Sequence, residues 1–596
     1  MAPSLDLQSS KKELKAIVLA FAECSPASSE RFDSLRFRSL VKRTDALLRH
    51  GCPFAEFDKG PPTLNNGDRC LLSLTDPPIA KAMHSLLGFA TICTHLGDFP
   101  LIPVARPVYG HLRRYIPVVL AWIEILHPMN GRLQPASGAH GSQVLCRLIS
   151  ALLHAICLPN MHGGPEKMYE FVFDTPTITC LVDIWLNLFR YTANPPWDVV
   201  ARVVELIFDF ARHINVQDGS SRVASELVVS TVHQRIQNKR RRLCRVISRY
   251  GLYLKDVPRS LYVIPTKLLS VATILTLSPN IQVSACPRED MRTLVQLLDH
   301  HVATRNWAAL MMGCTYLSNI WAFSLNNKTI EWAINDGIMV TVLNALNCCD
   351  DCKVTKPVQD VARHITNDFN SWRILRAFER NITGLVSDLE RASERHPVIA
   401  EWLIAYCERA AALGHARDIY KEGRERCSYS QCTQSLTEPG MKPLACQGKD
   451  AWYCSERCQR AHWKEKHRQT CLFGLVTRMT QRDWRFICAL AVVSMHRNLR
   501  SIVGEALALD PNRRHRMALH VDLREPAITH RVEVVEQLAP EDAWTTRLVI
   551  YWREWGKDSI GELDTAFQLD VMLEEVEKEA ADENDRVISG LAIMNT

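Results

Sequence analysis

Apolar residues recur at spacings of three and four over most of the first 420 positions. In KKELKAIVLAFAEC, Leu14, Ile17, Val18, Phe21 and Ala22 share one face of a 3.6-residue helix. VARVVELIFDFARHI repeats the pattern at Val203, Val204, Ile207, Phe208 and Phe210. Strand-like alternation is scarce here. Breakers punctuate the run at Pro77-Pro78, Gly163-Gly164-Pro165, Pro195-Pro196, Gly219, Pro258 and Pro287. From Gly163 onward their intervals run roughly 20 to 40 residues, which suits helix pairs. Residues 479–508 again read as helical. Three alternating runs follow, Met517–Leu523, Val532–Glu536 and Arg547–Trp552, and predict strands.

The pattern divides the chain into an all-helical region, 1–420, a polar segment, 424–471, and a short α+β region, 475–596. Toward its end the last region carries an acidic stretch, EEVEKEAADENDR at 574–586, which reads as a solvated helix face or a frayed end and, less often, as an interaction tail. Residues 319–346, NIWAFSLNNKTIEWAINDGIMVTVLNAL, resemble one armadillo repeat. A helix ends near Asn326-Asn327, a short helix follows, Gly337 turns, and an apolar helix begins at Ile338. No clean period runs through the whole region. The expected fold class is therefore mostly α, as an irregular or armadillo-like helical solenoid.

Composition agrees. Only 25 of 596 residues are glycine, which leaves little turn and bulge material and favours helix. Lys and Arg number 71 against 65 Asp and Glu, a net charge of +6, too balanced for a dedicated polyanion binder. No apolar run reaches the roughly 20 residues of a membrane helix. Arg147 and Glu124 interrupt the two longest candidates. The first residues lack the basic flank and apolar core of a secretory signal. An intracellular protein, cytoplasmic or nuclear, is expected, with no membrane partner.

Cysteine changes the picture. Six of the 21 cysteines fall within residues 424–471. In a reducing compartment such clusters indicate metal rather than disulfides. The order is Cys427-x4-Cys432, Cys446, Cys454-x3-Cys458, then His467-x3-Cys471. Thiolate and imidazole are zinc's preferred ligands, normally four to a structural site. Cys454 with Cys458, and His467 with Cys471, each share a face if helical. So polar a segment needs such a staple to fold.

YCSERCQRAHWKEKHRQTC, Tyr453 to Cys471, closely resembles the second half of a MYND zinc finger. The family places an aromatic before a Cys-x3-Cys pair, then Gln, Trp and His-x3-Cys. Tyr453, Cys454, Cys458, Gln459, Trp463, His467 and Cys471 fill those positions. The resemblance implies two zinc ions with interleaved ligands. Cys427, Cys432, Cys454 and Cys458 would form the first site. Cys446, His467 and Cys471 would serve the second, whose fourth ligand is missing because the expected Cys-x2-Cys reads Cys446-Gln447-Gly448-Lys449. His462 is a conceivable substitute, at a position the family keeps as a non-ligand. Trp463-x3-His467 is one residue longer than the common spacing. The resemblance also implies capture of short proline-containing peptides, with Gln459 and Trp463 lining the surface. A Trp face and a Gln amide suit that task physically, although Trp463 equally suits packing within the finger.

Other motifs carry less. The open position at the second site invites a catalytic reading, but no neighbouring Glu or His stands out as a general base. Phosphate-binding glycine loops and a nucleophile elbow are absent from the sequence. So are the Asn-His-Ser-Cys motif and the later cysteine-rich segment of SET-type lysine methyltransferases, and no enzyme is expected. Cys348, Cys349 and Cys352 lack a fourth ligand nearby and read as structural or surface thiols. Lys239-Arg240-Arg241-Arg242, with Arg235, Arg245 and Arg249, is the strongest basic run. It suits a solvated helix face, an import segment or a polyanion contact. Only Tyr250 and Tyr253 are near for stacking, so nucleic-acid binding is the disfavoured alternative. The function expected is that of a zinc-binding adaptor whose partners are proteins recognised through short peptide motifs.

Overall fold

The computed structural model describes residues 6–568 apart from 24–33, 63–71, 98–104, 134–138, 213–218, 237–240, 259–260, 279–280, 282–285, 325–326, 350, 423–426, 437–440, 446–450, 468–480, 513–514, 538–544 and 555–556. The acidic stretch 574–586 lies outside the described residues, as do Lys239 and Arg240. Contacts group the chain into two units, Met1–Val283 and Ser284–Thr596.

The first unit is all helix but for an isolated bridge between Leu72 and Leu133, among the described residues. Helix Leu7–Glu23 buries Leu14, Ile17 and Phe21, as its spacing predicts. Trp197–Ala211 buries Val203, Val204, Ile207 and Phe210. Phe208 differs: it is half-buried, its ring 5.9 Å from the Arg212 guanidinium and 5.8 Å from Lys267 Nζ. An apolar ring flanked by cations on the core's rim fits the same spacing as a core residue. Pro77 and Pro165, which read as breakers, sit at the first position of helices Pro77–Gly97 and Pro165–Asp174. There the missing N–H costs nothing and the fixed φ is already helical. An aromatic cluster of Phe54, Phe57, Phe89 and Tyr115 fills the N-terminal core, and Trp122 Nε1 donates to the Phe57 carbonyl at 3.0 Å.

The second unit shows the repeat that the sequence displays only once. Helices Lys328–Asn335, Ile338–Cys348 and Cys352–Asn367 form one triplet. Trp372–Ile382, Val386–Ser393 and Pro397–Glu422 form the next, each packed on its counterpart in the first. The offset is about 45 residues, within the armadillo range. Gly337 opens the second helix of the first triplet with φ +103°, a left-handed conformation that suits glycine. A preceding pair, Arg288–Ala303 and Trp307–Phe323, stacks against that triplet. The chain is thus mostly helical and built from stacked, repeat-like helices.

Two short strands, β1 (Leu444–Ala445) and β2 (Trp452–Tyr453), follow the repeats and belong to the cysteine-rich segment. Two further helices, Gln481–Arg497 and Leu499–Leu509, then lead into a four-stranded sheet. Its strands β3 (His515–Asp522), β4 (Thr529–Gln537), β5 (Thr545–Glu554) and β6 (Lys557–Gln568) lie in the order β4-β3-β5-β6. Strand β3 runs antiparallel to β4 and parallel to β5, with Leu519 opposite Val532 and Leu548. The sequence predicts β3 to β5 and misses β6. Gly561 and the acids of KDSIGELDTAFQ argue against a strand, yet the backbone pairs with β5 along its length.

The C-terminal sheet is tied to the repeats by polar groups. Arg409, on Pro397–Glu422 and 2% exposed, donates to the carbonyls of Leu523, Glu525 and Pro526 at 2.6–3.1 Å and to Asn370 Oδ1 at 3.1 Å. Asp483 accepts from Ser371 Oγ at 2.9 Å and from the Trp372 N–H at 3.0 Å, so a distant carboxylate satisfies an orphan donor at the start of Trp372–Ile382. Among the described residues no single helix is long and apolar enough to cross a membrane.

Candidate metal centre

The finger is assembled from a loop, a two-residue hairpin and a short helix. Strands β1 and β2 pair antiparallel, with Leu444 opposite Tyr453. The Cys427 N–H donates to the Gln434 carbonyl at 3.3 Å, and the Ser428 N–H to the Trp452 carbonyl at 2.7 Å. Ser428 Oγ in turn accepts from the Trp452 N–H at 2.9 Å. These bonds clamp the first cysteine pair onto the hairpin. Ser455 caps helix Glu456–His462, its hydroxyl accepting from the Cys458 N–H at 3.4 Å. The cap fixes Cys458 one turn above Cys454.

The four thiols converge. The Sγ atoms of Cys427, Cys432, Cys454 and Cys458 all lie within 4.8 Å of one another. Cys454 Sγ stands 3.6 Å from Cys432 Sγ and 3.6 Å from Cys458 Sγ. A disulfide needs about 2.05 Å. A tetrahedral zinc with bonds of about 2.3 Å sets its sulfurs about 3.8 Å apart. The spacing and the all-thiolate donor set therefore fit one structural zinc, with no ligand position left over. The core beneath is small: Cys427, Leu436, Ala451, Trp452 and Tyr453 are its buried residues. Burial raises the thiols of Cys427, Cys454 and Cys458, whereas a backbone hydrogen bond from Gln434 lowers Cys432. A divalent cation would favour the thiolate at all four.

The structure brings together the four ligands assigned to the first site. Of the second set, Cys446 and Cys471 lie outside the described residues, and His467 is described by its backbone alone. Trp463–His467 forms a π-helical turn directly after the capped helix. A π turn accommodates one extra residue within a helix, which matches the extra residue between Trp463 and His467. His462 stands apart from the thiols, its Nδ1 3.1 Å from the Tyr453 hydroxyl and its ring against Tyr453. It joins the helix to the hairpin. Gln459 is half-buried on the helix, and Trp463, one turn on, is 40% exposed. Sequence reasoning missed Ser428 and Ser455, which position ligands; Ser455, three residues before the pair's second cysteine, is a legible cap signal, while Ser428 carries none.

A helical chain bearing a small zinc finger of four cysteine ligands is the class that this fold and site define. Residues 427–471 match the family model of the MYND finger, so the finger is of the MYND type, a module that typically mediates protein interaction. No curated protein matches the chain. Among solved structures the chain is similar to one described as "Crystal structure of Kap121p", at 11% identity and a TM-score of 0.23, covering 82% of this chain and 46% of that one. The chain thus spans less than half the length of that protein.

Proposed function

We propose that this protein is an intracellular, non-enzymatic adaptor, cytoplasmic or nuclear, whose MYND finger captures short proline-containing peptides of partner proteins. Zinc at Cys427, Cys432, Cys454 and Cys458 holds the finger together. A second ion, held by Cys446, His467 and Cys471, steadies its C-terminal half. Gln459 and Trp463 form the capture surface.

The observation that carries this reading is Trp463. It is a large apolar side chain, 40% exposed, on a finger whose described residues form only a small buried core. Gln459 lies one helical turn before it. An exposed indole gives proline a flat apolar face, and a nearby amide pairs with the peptide backbone.

Selection of a phage-displayed library of proline-containing 12-residue peptides on the full chain tests the proposal. Enrichment that disappears in Trp463→Ala, with zinc content unchanged, is the expected result. Enrichment equal to that from a library without proline, or unchanged in Trp463→Ala, contradicts it.

A further inference from the structure

The basic run Arg241–Arg249 lies in the first unit, where its placement is specific. Helix Arg241–Leu254 packs on helix Thr177–Tyr191. Between them lies a cleft of about 250 Å³ whose walls carry four guanidinium groups, from Arg190, Arg242, Arg245 and Arg249. Among the described residues no carboxylate lines it. Arg242, Arg245 and Arg249 stand at i, i+3 and i+7, on one helix face, and Arg190 faces them from the other helix.

None of the four makes an ion pair among the described residues. Arg242 is half-buried and donates to Asn187 Oδ1 at 2.5 Å and to the Arg235 carbonyl at 3.3 Å, which fixes its orientation. Arg190, Arg245 and Arg249 are exposed. Elsewhere in this unit arginines commonly find carboxylates, as Arg147 does with Asp198 and Arg222 with Glu226. Guanidinium groups stay charged at any working pH. Four of them concentrated in one concavity, without counter-charge, focus a positive potential that an anion relieves.

We propose that this cleft is a second binding site, for an acidic peptide whose Asp, Glu or phosphorylated side chains pair with Arg190, Arg242, Arg245 and Arg249. The dimensions agree. From Arg242 to Arg249 the helix rises about 10 Å, the length of three to four residues of extended chain. Each fork takes a carboxylate or phosphate through two parallel hydrogen bonds. A nucleic acid fits less well. Of the aromatics in the cleft's lining, Trp185 and Tyr250 are 0% exposed, and the half-buried Phe189 is held edge-on against Tyr250 and Tyr253, which leaves little free face for stacking.

The test is fluorescence anisotropy on the full chain. The probes are a labelled hexaglutamate peptide, the same peptide with two phosphoserines, and a labelled 20-base-pair duplex. Binding of either peptide is expected, weakened at least tenfold in R245E/R249E and less in R245K/R249K, with K12E/K15E on the distant first helix within twofold of wild type. Both replaced arginines are exposed, so R245E/R249E should melt at the wild-type temperature, which separates lost binding from lost folding. Absence of binding by both peptides, binding indifferent to R245E/R249E, or tighter binding of the duplex than of either peptide overturns the proposal.

Discussion

Cys432 Sγ and Cys454 Sγ lie 3.6 Å apart although 22 residues separate them in the chain. They bridge the loop and the hairpin of the finger, so whatever joins them decides whether the finger is folded. Among the described residues the buried core of the finger is five. A structural zinc contributes on the order of 10 kcal/mol in small zinc peptides near neutral pH, more than such a core supplies. Cys454→Ser should therefore unfold the finger while the helical units, with their own cores, stay intact. Hydrogen exchange would show loss of protection across 427–463 and unchanged protection in helices such as Trp307–Phe323.

Arg409 is the polar knot between the repeats and the C-terminal sheet. Burial pulls its guanidinium down to about 10, so it remains charged at neutral pH. Its partners are main-chain carbonyls and Asn370. Arg409→Met leaves those neutral acceptors without their donor and should cost on the order of 1–3 kcal/mol. Urea unfolding of the variant should show a lower midpoint. An unchanged midpoint would mean that water replaces the guanidinium without penalty.

Gly337 adopts φ +103°, and a Cβ added there meets nothing within 4 Å. The penalty for alanine is thus conformational and not steric crowding. Gly337→Ala should destabilise the protein by about 1 kcal/mol, visible as a lowered thermal midpoint.

His154 sets an acid limit on the first unit. Burial lowers its pKa to about 4, from about 6.5 in the unfolded chain. Between those values the unfolded chain takes up a proton that the folded chain refuses. Stability is therefore fully present above pH 6.5 and falls as pH drops toward 4, by on the order of 3 kcal/mol in total. His301 is lowered to about 4 in the second unit for the same reason, burial first and His300 second. Thermal melts at pH 7.5 and pH 5 should differ more for wild type than for His154→Leu.

Much of this was legible in the residues. The Cys427-x4-Cys432 and Cys454-x3-Cys458 pairs announce ligands because a polar segment has no other use for clustered thiols. Gly337 and the helices around it announce a repeat because few residues tolerate that turn. The second triplet, Trp372 to Glu422, was not legible: it shares packing with the first but no clear residue pattern. Strand β6 was hidden because Gly561 and its acids disfavour a strand, and pairing with β5 overrides them. Arg409 was hidden because its partners are mostly backbone carbonyls more than a hundred positions away, which leave no mark in sequence. The arginines of 242–249 were visible as a charge run, but not the cleft that they line, because its other wall comes from Arg190's helix.

Zinc stoichiometry of the full chain by native mass spectrometry, with Cys454→Ser and Cys471→Ser beside it, tests the central claim most directly. The wild type is expected to carry zinc, Cys454→Ser to lose the ion of the four-cysteine site, and Cys471→Ser to retain it. A wild-type chain without zinc, or a Cys454→Ser chain with the full complement, would contradict the metal centre and the adaptor built on it.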